Sequence, residues 1–417
     1  LFVALILRLV FSYHRPPTLE GDSAYYHYIA ENLVTGHGYS RIPEADAPTR
    51  IRPPVYPFFM AFFYFLFGPN IKTIVTVQAL AGTLTCLITY LLANRAFGKR
   101  AGLLAALFTA LYPALIYYDN RILRESLTGL LLCWTALLAL NRDSGGRFRL
   151  FVVGAVLAAL TLCKPEMLVL VGVYILLAAN RQSLIRSSLI VMIPILLAWV
   201  PWTARNYYTF GSISPVTTGL GGAVWFGSRW AEIGGDDHTK EAHQALQMET
   251  REILNTSEVQ TEKQFMDKAI QDIVKRPGWF LSMVGRKVVM FWKDANGVKK
   301  TLPAIHSKLA PIMNACYYLL LLLALVGVAR GSGSRRHAKS ILALILTYMM
   351  TYALLHVRNR YRVPLLPLVF VLSAGGFWVI YDQLKDCVKV NRGRLSAFPS
   401  LAVRGSADHK ADSRAVE

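Results

Sequence analysis

The chain has 417 residues, 54% of them hydrophobic, and a mean hydropathy of +0.38. A soluble globular chain is usually about 45–50% apolar, and here the excess is gathered into long runs near the length that crosses a membrane. The formal net charge is +20. Because the basic residues cluster between the apolar runs, they indicate membrane topology and anionic lipid rather than nucleic acid. The composition excludes an ordinary soluble protein and predicts a multi-pass integral membrane protein.

The five cysteines predict neither a disulfide framework nor a zinc site. Most of them lie in apolar runs, none forms a CxxC pair, and their number is odd.

Ten apolar segments are predicted to span the membrane, which makes the expected fold an all-α bundle of about ten or more transmembrane helices. They are residues 1–13, 71–93, 101–118, 124–140, 149–163, 167–180, 188–204, 309–329, 340–356 and 362–382. The first is short for a span, and the chain begins at Leu1 without Met, so we expect the natural start to lie upstream. Two further aromatic-rich segments, 55–67 and 278–292, predict helices at the membrane surface.

Short basic loops set the expected orientation. If the first span starts in the cytoplasm, all the basic loops fall on the cytoplasmic side, as the positive-inside rule requires. These loops are 94–100, 141–149, 181–187 and 330–339, together with the tail after Lys385. Merging the helices on either side of Lys164-Pro165-Glu166 into one span would invert every later loop, so we keep them as two.

The same topology places two long segments, 14–70 and 205–308, on the outer side. The second reads as helical and partly soluble, with a turn at 234–237. The chain then divides into four parts. Residues 1–204 form an N-terminal transmembrane module with the outer loop 14–70, and residues 205–308 form an outer segment. Residues 309–384 form the C-terminal transmembrane helices, and residues 385–417 form a basic cytoplasmic tail that is expected to be disordered from residue 391.

Several basic residues lie on the outer side next to span ends, where the positive-inside rule disfavours them. They are Arg52, Arg121, Arg124, Lys164, Arg205, Arg358, Arg360 and Arg362. Snorkelling explains any one of them. Three arginines within the five residues 358–362 favour instead an anion held at the outer interface, since the planar guanidinium suits phosphate oxygens. Arg8, inside the first span, is expected to face the bundle interior.

Acidic residues are expected on the same side. A helix is predicted from Asp22 to Leu33. At the start of this helix, Asp22 either caps the helix or serves in catalysis. Glu125 lies four residues after Arg121, so an ion pair across one helical turn is the simpler explanation for it. Glu166 lies at another outer helix end. Glycosyl transfer from a lipid phosphate unites these groups, because the leaving phosphate needs cations and the acceptor hydroxyl needs one carboxylate base, which implies an inverting displacement.

Six motifs occur in order along nearly the whole chain. They are Gly21-Asp22-Ser23-Ala24-Tyr25-Tyr26, Arg52-Pro53-Pro54-Val55-Tyr56-Pro57, Arg121-Ile122-Leu123-Arg124-Glu125, Lys164-Pro165-Glu166, Pro201-Trp202-Thr203-Ala204-Arg205-Asn206-Tyr207 and Arg360-Tyr361-Arg362-Val363-Pro364-Leu365-Leu366-Pro367. Together they resemble the GT-C superfamily, specifically the bacterial family-39-like membrane glycosyltransferases, which are related to protein O-mannosyltransferases and to the aminoarabinose transferases of lipid A.

The resemblance implies an inverting glycosyltransferase that uses a polyprenyl-phosphate sugar, with Asp22 as the catalytic base and Glu125 as a second catalytic acid. It implies a set of donor phosphate ligands, and three tyrosines in the substrate pocket. The phosphate candidates are Arg52, Arg121, Lys164, Arg205, Arg358, Arg360 and Arg362, and the tyrosines are Tyr25, Tyr26 and Tyr361. Ser23 stands where many relatives carry a second acid, so we predict no metal ligands and no cofactor; a divalent metal stays open because the family varies in metal dependence.

The expected partners are the lipid-linked donor, membrane lipids and an acceptor hydroxyl on a protein, lipid or glycan, with no nucleic acid. The expected location is the bacterial plasma membrane, with the site on the extracytoplasmic face. Two alternatives stay open. A transporter or lipid flippase would need ionisable residues deep in the membrane and inverted halves. A polysaccharide polymerase or ligase would use a lipid pyrophosphate donor and would share the outer arginines without needing Asp22.

Overall fold

The computed structural model describes residues 1–417 except 44–45, 142–145, 179–183, 214–215, 218, 236–238, 294–302, 332–334 and 403–417. In this described part the regular secondary structure is helical, and a single isolated bridge joins the extended backbone at Ser40 and Pro48. The predicted all-α class is confirmed. Parts of three predicted cytoplasmic loops, and part of the predicted turn at 234–237, lie outside the described residues.

Each of the ten predicted spans coincides with a helix or a bent helix pair. These are α1 (Phe2–His14), α4 (Ile71–Phe97), α5 with α6 (Lys99–Leu111 and Pro113–Asp119), α7 (Glu125–Leu140), α8 (Gly146–Cys163), α9 (Leu168–Ala178), α10 (Leu184–Phe210), α15 (Pro303–Arg330), α16 (Arg335–Leu354) and α17 (Leu366–Ala402). A 3-10 helix over Pro165–Met167 separates α8 from α9, and a second, Asn359–Leu365, precedes α17.

Fewer helices than ten have the length and composition of a complete span. Among the described residues five helices are long and apolar enough to cross a membrane, or six if α5 and α6, which are bent by 57°, form one span. The others are the shorter apolar helices α1, α7 and α9, and α16, whose first turn is basic. The protein is a polytopic integral membrane protein in which several helices are too short to cross alone.

The two outer segments are also helical. The first contains α2 (Asp22–Thr35) and α3 (Val55–Phe67), and the second contains α11 (Leu220–Glu232), α12 (Lys240–Leu254), α13 (Glu258–Lys275) and α14 (Pro277–Trp292). The two predicted surface segments coincide with α3 and α14.

The C-terminal tail differs from the prediction. Disorder was expected from residue 391, but α17 continues without a break to Ala402, and residues 403–417 lie outside the described part. The physical reason is that extending a helix costs far less than starting one, so a buried transmembrane helix carries polar residues along beyond its apolar part.

A buried ion pair ties the first span to the bundle. Arg8 is 1% exposed, and its Nε donates to Oδ2 of Asp119, the last residue of α6, at 2.7 Å. Ser126 in α7 donates to the other oxygen of Asp119. Arg8 therefore faces the bundle interior, as predicted, and its charge is balanced there.

The closest helix packing joins α15 and α17 through glycines. A Cβ atom on Gly376 would lie directly against the carbonyl oxygen of Leu323, and one on Gly327 would lie against that of Leu372. Small residues let membrane helices approach until their backbones touch, which supplies packing where the hydrophobic effect does not.

We expect Gly376→Ala to lower the free energy of unfolding by about 1–3 kcal/mol, because the backbones must separate to admit a methyl group. Thermal unfolding of the purified protein in detergent would measure this. The matched control is Gly172→Ala in α9, where a Cβ would meet nothing within 4 Å. The control should unfold at or slightly above the wild-type temperature; equal stability of the two variants would contradict the packing argument.

Candidate active site

A cavity of about 370 Å³ lies where α2 and α7 meet the helices of the second outer segment and the residues that follow α16. Its polar lining comes from six separate parts of the chain. These side chains are Asp22, Tyr26, Arg52, Arg124, Glu125, Glu166, Thr250, Tyr352, His356, Arg358, Arg360 and Tyr361.

Asp22, the first residue of α2, is bound on both oxygens by arginines. Arg52 donates to Oδ1, and Arg360 donates to Oδ2 at 2.5 Å. Gly21 takes the N-cap position with a φ of +54°, which favours glycine, and no side chain caps the helix. The simpler explanation of Asp22 as a helix cap is therefore not what the structure shows.

The charges around Asp22 keep it ionised. Burial raises the pKa of this carboxyl. The charges of Arg52 and Arg360, with a smaller contribution from Arg124, lower it by more than burial raises it, so the pKa lies well below its usual range. Asp22 is therefore a carboxylate across the physiological pH range, with both oxygens already occupied.

Arg360 lies between two acids. Besides its hydrogen bond to Asp22, its Nε lies 3.6 Å from Oε1 of Glu125, the first residue of α7. Glu125 is 2% exposed, and its Oε2 has no hydrogen-bond partner in the described part of the chain. The side chain of Arg360 rests on the ring of Tyr361. One guanidinium group thus links both predicted catalytic acids.

The simpler explanation of Glu125, an ion pair with Arg121, does not hold, because these two described residues form no ion pair. Residues 120–124 are turns and bends rather than helix, so a spacing of four does not bring the two side chains together. Arg121 donates instead to the hydroxyl of Thr18 at 2.8 Å.

A second ion pair lies beside the cavity. Arg124 lies 3.3 Å from Oε1 of Glu166 and donates to the carbonyl oxygen of Cys163 at 3.1 Å. This joins the start of α7 to the break between α8 and α9.

Lys164 occupies that break and is fully buried. Its Nζ lies over the rings of Tyr352 and Tyr361, at 5.2 and 5.0 Å from their centroids, and has no hydrogen-bond partner among the described residues. Burial lowers the pKa of this amine to about 8, although the nearby Glu125 acts to raise it. Lys164 does not line the cavity itself but lies behind two tyrosines that do.

An apolar groove of about 840 Å³ adjoins the cavity. Its walls come from α16, α9 and α11, from the residues on either side of Arg52 and from Trp199 of α10, with side chains such as Leu168, Leu220 and Met350. Arg52, Arg124 and Glu166 line both the groove and the cavity. The two spaces therefore share a charged junction.

Three predicted site residues take part in other contacts. Arg205 donates to the carbonyl oxygen of Thr49 at 2.9 Å, and Arg362 donates to those of Phe291 and Lys293, both at 2.9 Å. Tyr25 is 39% exposed and carries Arg52 on its ring without lining the cavity. Arg205 and Arg362, like Arg121, lie outside the cavity lining, and the role of these three arginines as phosphate ligands stays a prediction.

No group of three or more His, Cys, Asp or Glu residues that could hold a metal ion occurs in the described ranges.

Comparisons with known proteins give the fold. Residues 51–204 match the family model of dolichyl-phosphate-mannose-protein mannosyltransferase. The oligosaccharyltransferase of Archaeoglobus fulgidus in its apo form superposes with a TM-score of 0.56 and 16% identity, over 94% of this chain and 52% of that one. The chain has the GT-C fold. The predicted fold class is thereby confirmed.

Two further structures are similar to this GT-C chain. AglB from Archaeoglobus fulgidus, in complex with an inhibitory peptide and a dolichol-phosphate, has a TM-score of 0.54 and 15% identity over 94% of this chain and 51% of that one. ArnT from Cupriavidus metallidurans bound to undecaprenyl phosphate has a TM-score of 0.41 and 15% identity, over 90% and 76%. The chain spans about half the length of the archaeal enzyme. No curated protein matches it in sequence.

The sequence did not assign a role to several residues that line the GT-C cavity. His356 is one of them, and its Nε2 accepts a hydrogen bond from Nε of Arg358 at 3.2 Å. Phe226 and Thr250 come from α11 and α12 of the outer segment. Within α11, Gly227 lets the helix lie against the backbone of Leu355 and His356.

We expect Lys164→Met to unfold at a higher temperature than the wild type at pH 7, because an apolar chain replaces a buried amine that lacks a hydrogen bond. The pKa is about 8 in the folded protein and 10.5 in the unfolded reference. Between these two pH values the unfolded state binds more protons than the folded state, so the stability of the wild type rises with pH. The difference in unfolding temperature between Lys164→Met and the wild type therefore shrinks.

Thermal unfolding at pH 7, 8.5 and 10 tests this, with the exposed Lys72→Met as the control. A variant that is less stable than the wild type at pH 7, or a difference that does not change with pH, would show that Lys164 is not strained by burial.

Proposed function

We propose that this protein transfers a sugar from a polyprenyl-phosphate carrier to the hydroxyl group of an acceptor. The observation that carries the proposal is the junction at which Arg52, Arg124 and Glu166 line both the polar cavity and the apolar groove. A polyprenyl-phosphate sugar has three parts in the same order: a polar sugar, a charged phosphate and an apolar chain. A single donor molecule would place its sugar beside Asp22, its phosphate at the junction and its chain in the groove.

The balance of charge favours a bound phosphate. Four arginines line the cavity together with three acids, and Lys164 adds a fifth cation behind Tyr352 and Tyr361. Positive charges therefore exceed negative ones by two. Arg358 contacts His356 and the ring of Trp230, and no ion pair with a carboxylate is found for it among the described residues. Guanidinium groups bind phosphate oxygens through paired, charge-assisted hydrogen bonds.

The groove has the size and chemistry for an isoprenoid chain. Most of its lining is apolar, with side chains such as Leu168, Trp199 and Met350. The archaeal enzyme with the same fold was solved with a dolichol-phosphate, which supports a lipid phosphate as the ligand of this fold.

The reaction would be an inverting displacement. The acceptor oxygen attacks the anomeric carbon and forms the new glycosidic bond, while the bond from that carbon to the phosphate oxygen breaks. The proton of the acceptor hydroxyl passes to the carboxylate of Asp22. Polyprenyl phosphate leaves with the bonding electron pair, and the arginines at the junction stabilise its negative charge. One carboxylate base is sufficient because the leaving phosphate needs no proton.

We further propose that the site opens to the extracytoplasmic face of a bacterial plasma membrane and that undecaprenyl phosphate is the carrier. The supporting observation is the distribution of basic residues along the sequence: the loops 94–100 and 330–339 are short and basic, as the positive-inside rule requires of cytoplasmic loops.

Asp22→Asn should abolish transfer, with a fall of about 10³-fold, because an amide cannot accept the proton. The assay combines purified protein, radiolabelled polyprenyl-phosphate sugars and fractionated acceptors. Asp46→Asn is the matched control, since Asp46 is an exposed residue of the same outer loop. The control should keep full activity, and retained turnover in Asp22→Asn would contradict the mechanism.

Two further measurements distinguish the proposed transferase from a transporter and from a polymerase or ligase. Uptake of a lipid-linked substrate into vesicles without product formation would favour a transporter. Transfer from a lipid pyrophosphate sugar but not from the monophosphate would favour a polymerase or ligase.

A further inference from the structure

The free protein holds its proposed base in a weakened form, because two guanidinium groups bind it. A general base needs a free lone pair directed at the proton that it removes. Both carboxylate oxygens of Asp22 already accept hydrogen bonds, one from Arg52 and one from Arg360. Each oxygen keeps a second lone pair. While both guanidinium groups hold the carboxylate, however, it binds a proton weakly, so at least one of these contacts has to loosen before Asp22 is an effective base.

Both arginines have another partner available. Arg52 lines the groove as well as the cavity, so its guanidinium group lies at the junction where a donor phosphate would sit. Arg360 has Glu125 within 3.6 Å, and Glu125 has an oxygen without a hydrogen bond in the described chain. The Nε atoms of both arginines likewise have no hydrogen-bond partner there. Each can leave Asp22 without becoming an unpaired buried charge.

The arginines also rest on aromatic rings. Arg52 lies 5.5 Å from the ring centroids of Tyr25 and Tyr26, and Arg360 lies 5.4 Å from that of Tyr361. A cation over a ring face is attracted without a fixed hydrogen-bond direction. A guanidinium group can therefore shift across the ring from one oxygen partner to another at little cost.

From this geometry we propose that the donor phosphate displaces the arginines from Asp22, so that binding of the lipid phosphate releases the base. Arg52 and Arg360 then have two functions in turn, neutralising Asp22 in the free protein and holding the phosphate in the complex. The order of substrates follows: the donor binds first, and the acceptor hydroxyl then meets a carboxylate that has become a stronger base. This inference rests on the proposed function.

Competition between Asp22 and the phosphate for the same arginines can be measured without an acceptor. In the wild type the phosphate must break ion pairs that Asp22→Asn lacks. The variant should therefore bind bare polyprenyl phosphate roughly tenfold more tightly at pH 7, since a hydrogen bond to a charged group contributes about 1.5–3 kcal/mol. Asp22→Ser should behave alike, and Asp46→Asn should bind as the wild type does. Misfolding cannot produce this gain in affinity.

Acid pH supplies a second readout. Losing the arginines raises the pKa of Asp22, so the complex takes up a proton at low pH that the free protein does not. Wild-type affinity should then approach that of Asp22→Asn as the pH falls from 7 to 4.5. The groups facing Asp22 are Arg52, Arg124, Arg360, Glu125 and Tyr26, and all are retained in the variant. The titration of the lipid phosphate itself is common to both proteins and cancels in the comparison.

The outcomes are distinct. If the wild type, Asp22→Asn and Asp22→Ser all bind polyprenyl phosphate with equal affinity at pH 7, the exchange of partners is overturned while the proposed function stands. If none of them binds polyprenyl phosphate at all, the proposed function itself fails. Tighter binding by both neutral variants, with a difference that closes in acid, supports the release of the base by the donor.

Discussion

The contact on which the site depends is the pairing of one carboxylate with two guanidinium groups. Asp22 begins α2, Arg52 precedes α3, and Arg360 lies in the 3-10 helix before α17, so three segments far apart in sequence converge on one side chain. Burial alone would favour a neutral aspartic acid, and the arginines reverse that preference. The same charges that fix the geometry of the cavity therefore fix the protonation state of its central acid.

The helical framework followed from apolar runs, because the need to satisfy backbone hydrogen bonds in lipid leaves a long apolar segment little choice but helix. The break at Lys164-Pro165 was also predictable, from proline and from the charge of the loops that follow it. The number of complete spans was less predictable. The helices α7 and α9 are short, and they can end inside the bundle because they pack against neighbouring helices. A window of sequence contains no information about that packing.

The site was predictable in part, for a physical reason. Basic residues at outer span ends look alike in sequence, yet Arg360 meets Asp22 whereas Arg362, two residues later, donates to the carbonyl oxygens of Phe291 and Lys293. In a 3-10 helix a shift of two residues turns a side chain to a different side. Whether an arginine here binds an anion or donates to backbone carbonyl oxygens depends on the direction of its side chain, and that direction is set by the fold.

Unsatisfied groups collect where the ligand would bind. Oε2 of Glu125 and Nζ of Lys164 are both buried without hydrogen bonds in the described chain, and each such group costs about 1–3 kcal/mol in the free protein. A carboxylate left bare beside an incoming phosphate would also repel it. By covering Asp22, Arg52 and Arg360 present the phosphate with a positive surface first and expose the negative charge of the base only after the phosphate has taken the arginines. The donor therefore binds before the base is released, because Asp22 and the donor phosphate compete for the same two arginines.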